Sequence, residues 1–517
     1  MLFEMHCHTS EHSQCSSVHA VALLERLYRS GLQGVVLTDH HFVWPEKELT
    51  EMKKMAGVPD HFIVLSGQEV STRHNGDTLV YGVSESIPKK TELKWIRDSY
   101  PAAALVMAHP YRNGEKPTVD LLLDPLYDAI EIFSSNHSVA ENMRALRDWH
   151  RYKFTALAGT DSHAVTYAGL YPTLFDHPVD SIEELVEDLK KGRCRPFFKE
   201  ISLAGTGSRV QQVVLGTKAG PVKRERLIIR ELHTDDQYKS AGRASYIMSR
   251  IAAHGFSKGK YLVPRLIHSD SDEKVLIEEA VHGKSLFDAV VATGTRKAKE
   301  FVRLSANWLA KLHNQRLRIT PIDEFGTIEH EKISKYVSHF EEVQHPHTKR
   351  AREIMEALWS AEQEIIRDQT DLFVQGHGDY HPKNILISNI DLKRGKSITV
   401  TAIDFSRSSC FPPAYDIGTF LAQFRNQFFN HSEILEEIPE SVFLDSYLSR
   451  VRYVNPDFQN QVELFRARTN LGIASYLILV GLGNSENLWR LLVEADNTLT
   501  RQGYLNYRIN SEIDLSQ

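Results

Sequence analysis

Five times within the first 200 residues a short apolar run ends in a histidine or a carboxylate, and no other feature restricts the fold of this 517-residue chain as tightly. The runs are LFEMHCH, ending in His6 and His8, GVVLTDH with His40, HFIVLSGQE with Glu69, AALVMAHP with His109, and FTALAGTDSH with Asp161 and His163. Helix-like stretches at 18–30 and 139–152 alternate with such runs, the pattern of repeated β/α units. Parallel strands in those units bring side chains to one face at their carboxyl ends, where α/β barrels place their chemistry. His6-x-His8 also puts two imidazoles on one side of an extended chain, because strand side chains alternate with period two.

Imidazole and carboxylate together suit Zn²⁺, Mn²⁺ or Fe ions, and a carboxylate such as Glu69 can bridge two of them. Such a multinuclear centre would activate water near neutral pH and clamp phosphoryl oxygens, so hydrolysis is the expected chemistry. The chain has 25 histidines, 13 of them before residue 200, which agrees with a centre in the first part. Its cysteines, Cys7, Cys15, Cys194 and Cys410, show no CxxC spacing; a structural zinc site is not expected, and a reduced, cytoplasmic compartment is. The amino terminus lacks a signal-peptide pattern, and apolar stretches such as 477–482 are too short to span a bilayer. With 61 Lys and Arg against 67 Asp and Glu, a net charge of −6, nothing electrostatic favours nucleic acid or an anionic membrane as partner.

The first 200 residues resemble the PHP (polymerase and histidinol phosphatase) domains. HCHTSEHS, TDHH, GQEVST, AHP and GTDSH follow the order of that family's metal-binding motifs. The resemblance implies a distorted (β/α)7 barrel with two or three metals, held by His6, His8, His40, Glu69, His109, Asp161 and His163. A further early ligand corresponds to His12 or to Cys15, with His12 favoured. Asp77, in GDTLVYG, stands where the family often has a histidine, and Glu131 and His137 fall at another strand end as supports for the ligands.

Near residue 200 the pattern changes, which predicts two domains, 1–200 and 201–517. Glycines at 205, 207, 216 and 220 suggest hairpins, RLIIREL a strand and 237–253 a helix. Amphipathic helices are expected at 297–314, 347–368, 432–451 and 458–482, with a loop-rich segment at 376–417. Phosphoryl transfer needs a positioned base and cations on the phosphates. His377-Gly-Asp379-Tyr-His381-Pro-Lys-Asn384 offers Asp379 as base and Asn384 for Mg²⁺, and Asp404, after the run TAI, offers a second Mg²⁺ ligand.

HGDYHPKNIL and the segments around it resemble the aminoglycoside phosphotransferase and choline kinase family over 201–500. That resemblance implies a bilobal protein-kinase-like α+β domain using ATP and magnesium. It places a glycine-containing hairpin at Gly205, Gly207 and Ser208, a hinge segment at Glu279, and Asp416 in a structural role. Arg230 stands where the family's phosphate-contacting lysine is expected, and the 237–253 stretch holds no acid to pair with it. The combined expectation is a bifunctional enzyme acting on small-molecule phosphoesters and hydroxyls. The alternative is a phosphoesterase regulated by an inactive ATP- or ligand-binding kinase-like module, and a nuclease comes third.

Overall fold

The computed structural model describes residues 1–200, 209–215, 225–392 and 395–505. The chain divides into two compact units, Met1–His233 with His268–Ala280, and Thr234–Ile267 with Val281–Gln517.

The first unit is built on β1 (Leu2–Glu4), β2 (Gly34–Leu37), β3 (Ile63–Ser71), β4 (Asp77–Tyr81), β5 (Ala104–Met107), β6 (Ala129–Phe133), β7 (Ala156–Ala158), β8 (Thr173–Phe175) and β9 (Cys194–Pro196). The spatial order is β7-β6-β5-β4-β3-β2-β1-β8-β9. Pairing is parallel from β1 through β3 and from β5 through β7, while β4 runs antiparallel to both neighbours. The circuit closes just past β1 and β7. Cys7 bridges Ser162 in parallel, the Asp161 amide donates to the His6 carbonyl at 2.7 Å, and the His8 amide donates to the Ser162 carbonyl at 3.2 Å. Seven strands thus form a barrel-like sheet, with the β8–β9 hairpin laid on the β1 edge.

Interior positions are apolar and tightly fitted: Phe3, Val36, Leu79, Tyr81 and Val106 are buried together, and the Tyr81 hydroxyl donates to the Met5 carbonyl at 2.8 Å. On the outside, helix Ala20–Arg29 buries Leu23, Leu24 and Leu27 on one face, as its 3.6-residue spacing dictates. Helix Val139–Tyr152 opens with a capping box between Ser138 and Glu141, which satisfies two otherwise orphaned amides. The change of pattern near residue 200 is where the chain leaves this sheet. Lys199–Glu200 begins a five-stranded sheet ordered Lys199–Glu200, Arg209–Leu215, Glu225–Glu231, Val275–Glu279, Leu266–Asp270, and the compact unit runs on to His233.

The second unit is mainly helical around a large core that includes Trp308, Phe325, Tyr415 and Phe465. Helix Phe458–Leu479 is buried on most of its circumference, so amphipathic spacing describes it poorly. The expected helix over 432–451 is instead two, Ser432–Glu437 and Ser441–Leu448, separated at Pro439, which cannot continue a helix. The segment expected to be loop-rich contains strands Ile385–Leu392 and Gly395–Ala402, paired antiparallel in a four-stranded sheet. The helix expected at 237–253 spans Asp235–Ile251 and is capped by Thr234 and Gln237, so Asp235 and Asp236 fall inside its first turn. Among the described residues, no helix is long and apolar enough to cross a membrane.

Candidate metal centre and phosphotransfer site

Residues from the ends of β1, β2, β5 and β7, together with Glu69 within β3, converge at the carboxyl end of the barrel. Glu69 is the hub. Its Oε2 lies 3.4 Å from His6 Nε2, 3.1 Å from His8 Nε2 and 3.2 Å from His40 Nδ1, and its Oε1 lies 3.0 Å from His109 Nε2. Asp161 Oδ1 stands 3.3 Å from His8 Nε2 and 3.5 Å from His163 Nδ1. Three overlapping donor triads result: His8, His40 and His163; His6, His8 and Asp161; His6, Glu69 and His109. Donors at about 2.1 Å from a tetrahedral first-row cation stand about 3.4 Å apart, and the spacings here fit that separation. The all-nitrogen-and-oxygen donor set suits Zn²⁺, Mn²⁺ or Fe ions rather than soft metals.

Two of these donors sit on strained backbone. His109 has φ +31° and Asp161 φ +47°, conformations that cost about 1–3 kcal/mol and persist only where neighbours enforce them. The Glu131 carboxylate does so for His109, accepting from its amide at 2.9 Å while Oε1 lies 3.0 Å from His6 Nδ1. That contact fixes the His6 ring and leaves Nε2 facing the cluster. Glu4, also buried, accepts from the Thr160 amide at 2.7 Å and the Gly169 amide at 2.9 Å; burial pushes its carboxyl up to about 7, against those hydrogen bonds. Asp39 is not a donor to the cluster. Its oxygens accept from the Thr9 amide and hydroxyl, both at 2.7 Å, from Ser13 Oγ at 2.6 Å and from Trp44 Nε1 at 2.8 Å.

That network explains why His12 does not join the expected ligands. The loop is pinned at Thr9 and Ser13, and His12 between them is exposed and stacked on the Phe42 ring. Cys15 is likewise exposed and outside the triads. Asp77 is peripheral, its Oδ2 3.9 Å from His109 Nε2 and its side chain 32% exposed. His137 lies 3.0 Å from Asn142 Oδ1 through Nδ1 and belongs to no triad among the described residues. Arg112 reaches the rim, with Nη1 3.8 Å from Asp161 Oδ2.

Burial alone would discharge His8, yet Asp161 and Glu69 outweigh it and raise the imidazole to about 9. Burial would likewise raise Glu69, but His6, His109 and His8 hold it well below the carboxylate range. At pH 7 the cluster without a cation therefore carries protons on imidazoles that a cation must displace. Adding Mn²⁺ or Zn²⁺ to chelator-treated protein in weak buffer should release protons at pH 7, with apparent affinity rising as the pH climbs through about 9, where His8 is half deprotonated. A pH-indicator dye reads the release, and uptake without protons would contradict this charge state.

In the second unit, Asp416 builds the loop that carries Asp379. Its buried carboxylate accepts from the His377 amide at 2.7 Å and the Gly378 amide at 2.8 Å, and stands 3.2 Å from His313 Nε2. Gly378 has φ +83°, and a Cβ there would lie 2.0 Å from the Arg407 carbonyl oxygen, so only glycine fits. Replacing Asp416 by Ala strands two buried amides, each worth about 1–3 kcal/mol; a loss of about 3 kcal/mol in stability is expected by denaturant titration, and a loss under about 1 kcal/mol would contradict the pinning role.

Asp379 presents its carboxylate 3.6 Å from Arg407 Nη1 and 3.8 Å from His381 Nε2. Asn384 Nδ2 donates to the Asp379 carbonyl at 3.1 Å, and the Ile403 amide donates to the Asn384 carbonyl at 3.0 Å. Asn384 and Asp404 thereby flank the same end of the 385–402 hairpin. Asp404 adopts φ +62° and is exposed. A cleft of about 700 Å³ opens beside Asp379, lined in part by Arg407, Lys332 and residues of helix Phe458–Leu479.

Of the other expected nucleotide contacts, Gly205, Gly207 and Ser208 lie outside the described residues. Glu279 is exposed at the end of its strand. Arg230 is paired, its Nε 3.2 Å from Glu278 Oε2; the partner expected on a helix comes from the adjacent strand of the same sheet. Only the strand order could reveal that, whereas the buried Glu4 was open to notice as an acid inside an apolar run.

Residues 200–433 match the sequence model of the phosphotransferase enzyme family, and residues 139–194 match that of a PHP-associated family. No curated protein matches the chain. Among solved structures, Plasmodium vivax ethanolamine kinase is 16% identical with a TM-score of 0.39, over 60% of this chain and 83% of that one. Choline kinase LicA from Streptococcus pneumoniae is 15% identical with a TM-score of 0.36, over 59% and 93%. An aminoglycoside phosphotransferase from Streptomyces rimosus is 14% identical with a TM-score of 0.34, over 52% and 92%. Residues 200–433 thus carry a phosphotransferase domain.

Proposed function

We propose that the protein is bifunctional: residues 1–200 hydrolyse a phosphoester with bound divalent metals, and residues 201–517 transfer a phosphoryl group from ATP to a small-molecule hydroxyl. The hydrolase reading rests on Glu69, held within 3.0–3.4 Å of four imidazoles in three overlapping triads. The transferase reading rests on the Asp379 loop, built on Asp416 within a segment that matches a phosphotransferase family.

Divalent ions at the barrel centre would polarise phosphoryl oxygens and make water a nucleophile near neutral pH. The chain's own part is to hold and orient. Glu69, His6, His8, His40, His109, Asp161 and His163 would hold the cations, and Glu131 sets the His6 ring. Arg112 offers a guanidinium to a phosphate oxygen at the rim. At the second site the chemistry is placement and electrostatics. Asp379 would accept the hydroxyl proton, and Asn384 and Asp404 would hold the Mg²⁺ that accompanies ATP.

Elemental analysis of the purified chain, combined with phosphoester and hydroxyl-acceptor screens, tests both halves. Two or more Mn, Fe or Zn atoms per chain with phosphoester hydrolysis, and acceptor-dependent ADP formation, are expected. A metal-free, inactive barrel would sink the first half.

One observation favours a second reading, an ATP-sensing module that regulates the hydrolase: the phosphate-contacting lysine is replaced by Arg230, which is tied to Glu278. ATP binding by calorimetry with no transfer to any acceptor would favour it.

A further inference from the structure

We infer that the acceptor phosphorylated at Asp379 is an anion, a hydroxyl compound bearing a phosphate or carboxylate, which rests on the reading of Asp379 as the base. The cleft beside Asp379 is lined by Lys332, Lys335, Lys383, Arg407 and Arg468, and Asp379 is the only carboxylate among its described lining. These cations come from separate places: helix Glu324–Glu342, the turn Pro382–Asn384, the loop after Asp404, and helix Phe458–Leu479. Folding brings like charges to one cavity, an arrangement that repels itself unless a counter-charge arrives.

Two buried acids, Glu329 and Glu362, face these cations from within, and burial with Glu329 beside it pushes the Glu362 carboxyl up to about 8. Behind the wall, Glu329 Oε1 lies 2.6 Å from Lys332 Nζ and its Oε2 lies 2.6 Å from Arg468 Nη2, so one carboxylate serves two cations. Arg468 is deeply placed, with 4% of its side chain exposed, and both its Nε, at 2.8 Å, and its Nη2 meet the same Glu329 oxygen, so its charge rests on a carboxylate shared with Lys332. Among the described residues, the ion pair of Arg407 is the 3.6 Å contact to Asp379. Lys335 is exposed at the lip, one turn from Lys332 on the same helix, where like charges three residues apart disfavour each other.

The nucleotide does not account for this excess. Asn384 and Asp404, the residues placed to hold Mg²⁺, do not line the cleft. An amine-bearing acceptor would meet the cations as repulsion, which argues against an aminoglycoside-like compound. A phosphate or carboxylate would complete the pairing of Arg468 and Lys332 on the floor. Gln423, Asn426 and Gln427 line the same cavity and offer amide groups to hydroxyls.

Matched acceptors test this on the full-length protein: glucose 6-phosphate, glucose and glucosamine, and glycerate, glycerol and ethanolamine. Binding without nucleotide is measured by calorimetry, and turnover by ADP formation with Mg-ATP. In at least one set the anionic member should bind at least tenfold tighter than the neutral one, with the amine weakest. Lys335→Glu should weaken anion binding about tenfold and narrow the gap to the neutral member, and Lys335→Arg should restore it; an unchanged melting temperature shows that both variants fold. Neutral or cationic members bound as well as the anions, a preference untouched by Lys335→Glu, or binding by no anion in either set would overturn the inference. Anion binding without ADP formation removes the kinase reading and with it the inference that the bound anion is an acceptor. ADP formation confined to neutral or cationic acceptors removes it and keeps the kinase.

Discussion

Asp379→Asn should lower ATP-dependent transfer at least 1,000-fold while leaving phosphoester hydrolysis at its original rate. The amide fills the same space but cannot take up the hydroxyl proton, and a positioned general base contributes roughly 10²–10⁴-fold. The loop itself should persist, because Asp416 holds it through the amides of His377 and Gly378 rather than through the Asp379 side chain. Nucleotide binding by calorimetry should therefore stay within a few-fold of the original. ADP formation from the variant within tenfold of the parent would show that another group takes the proton.

Glu69→Gln should have an effect of comparable size at the other site. The substitution keeps volume but removes the carboxylate that lies against all four of His6, His8, His40 and His109. Metal content should fall by at least one ion per chain, and hydrolysis should fall by about 10³-fold as the cation chemistry is lost. Loss of this buried carboxylate from contact with His6, His8 and His109 should also destabilise the metal-free barrel by about 3 kcal/mol. Transfer to hydroxyl acceptors should be unchanged, and a variant with full metal content and full hydrolysis would exclude a bridging role for Glu69.

The barrel and its donors were legible because two simple rules coincide. Parallel strands end on one face, and side chains alternate along each strand, so His6, His8, His40, Glu69, His109, Asp161 and His163 stand out as recurrent endings of apolar runs. His12 and Asp77 were not legible for a reason the same rules cannot express. Loop direction depends on hydrogen bonds such as those of Thr9 and Ser13 to Asp39, and these leave His12 on the Phe42 ring. Arg230 illustrates a second limit: its partner is 48 positions along the chain by the numbering of Glu278, and it becomes a neighbour only because Val275–Glu279 pairs with Glu225–Glu231. The 385–402 hairpin went unread because motif residues at both ends drew attention from the alternation in ILIS and SITVTA.

The seam of the barrel sets the order in which this protein can mature. Its closing hydrogen bonds join the backbones of residues 6–8 to those of 161–162, and these segments also carry side chains of the donor triads. On a ribosome the earliest donors leave the exit tunnel long before their partners are synthesised. A complete site arises only when the last β/α unit of the barrel docks. Assembly of the triads and closure of the circuit are then one event late in synthesis, and a chain truncated before Asp161 should retain neither.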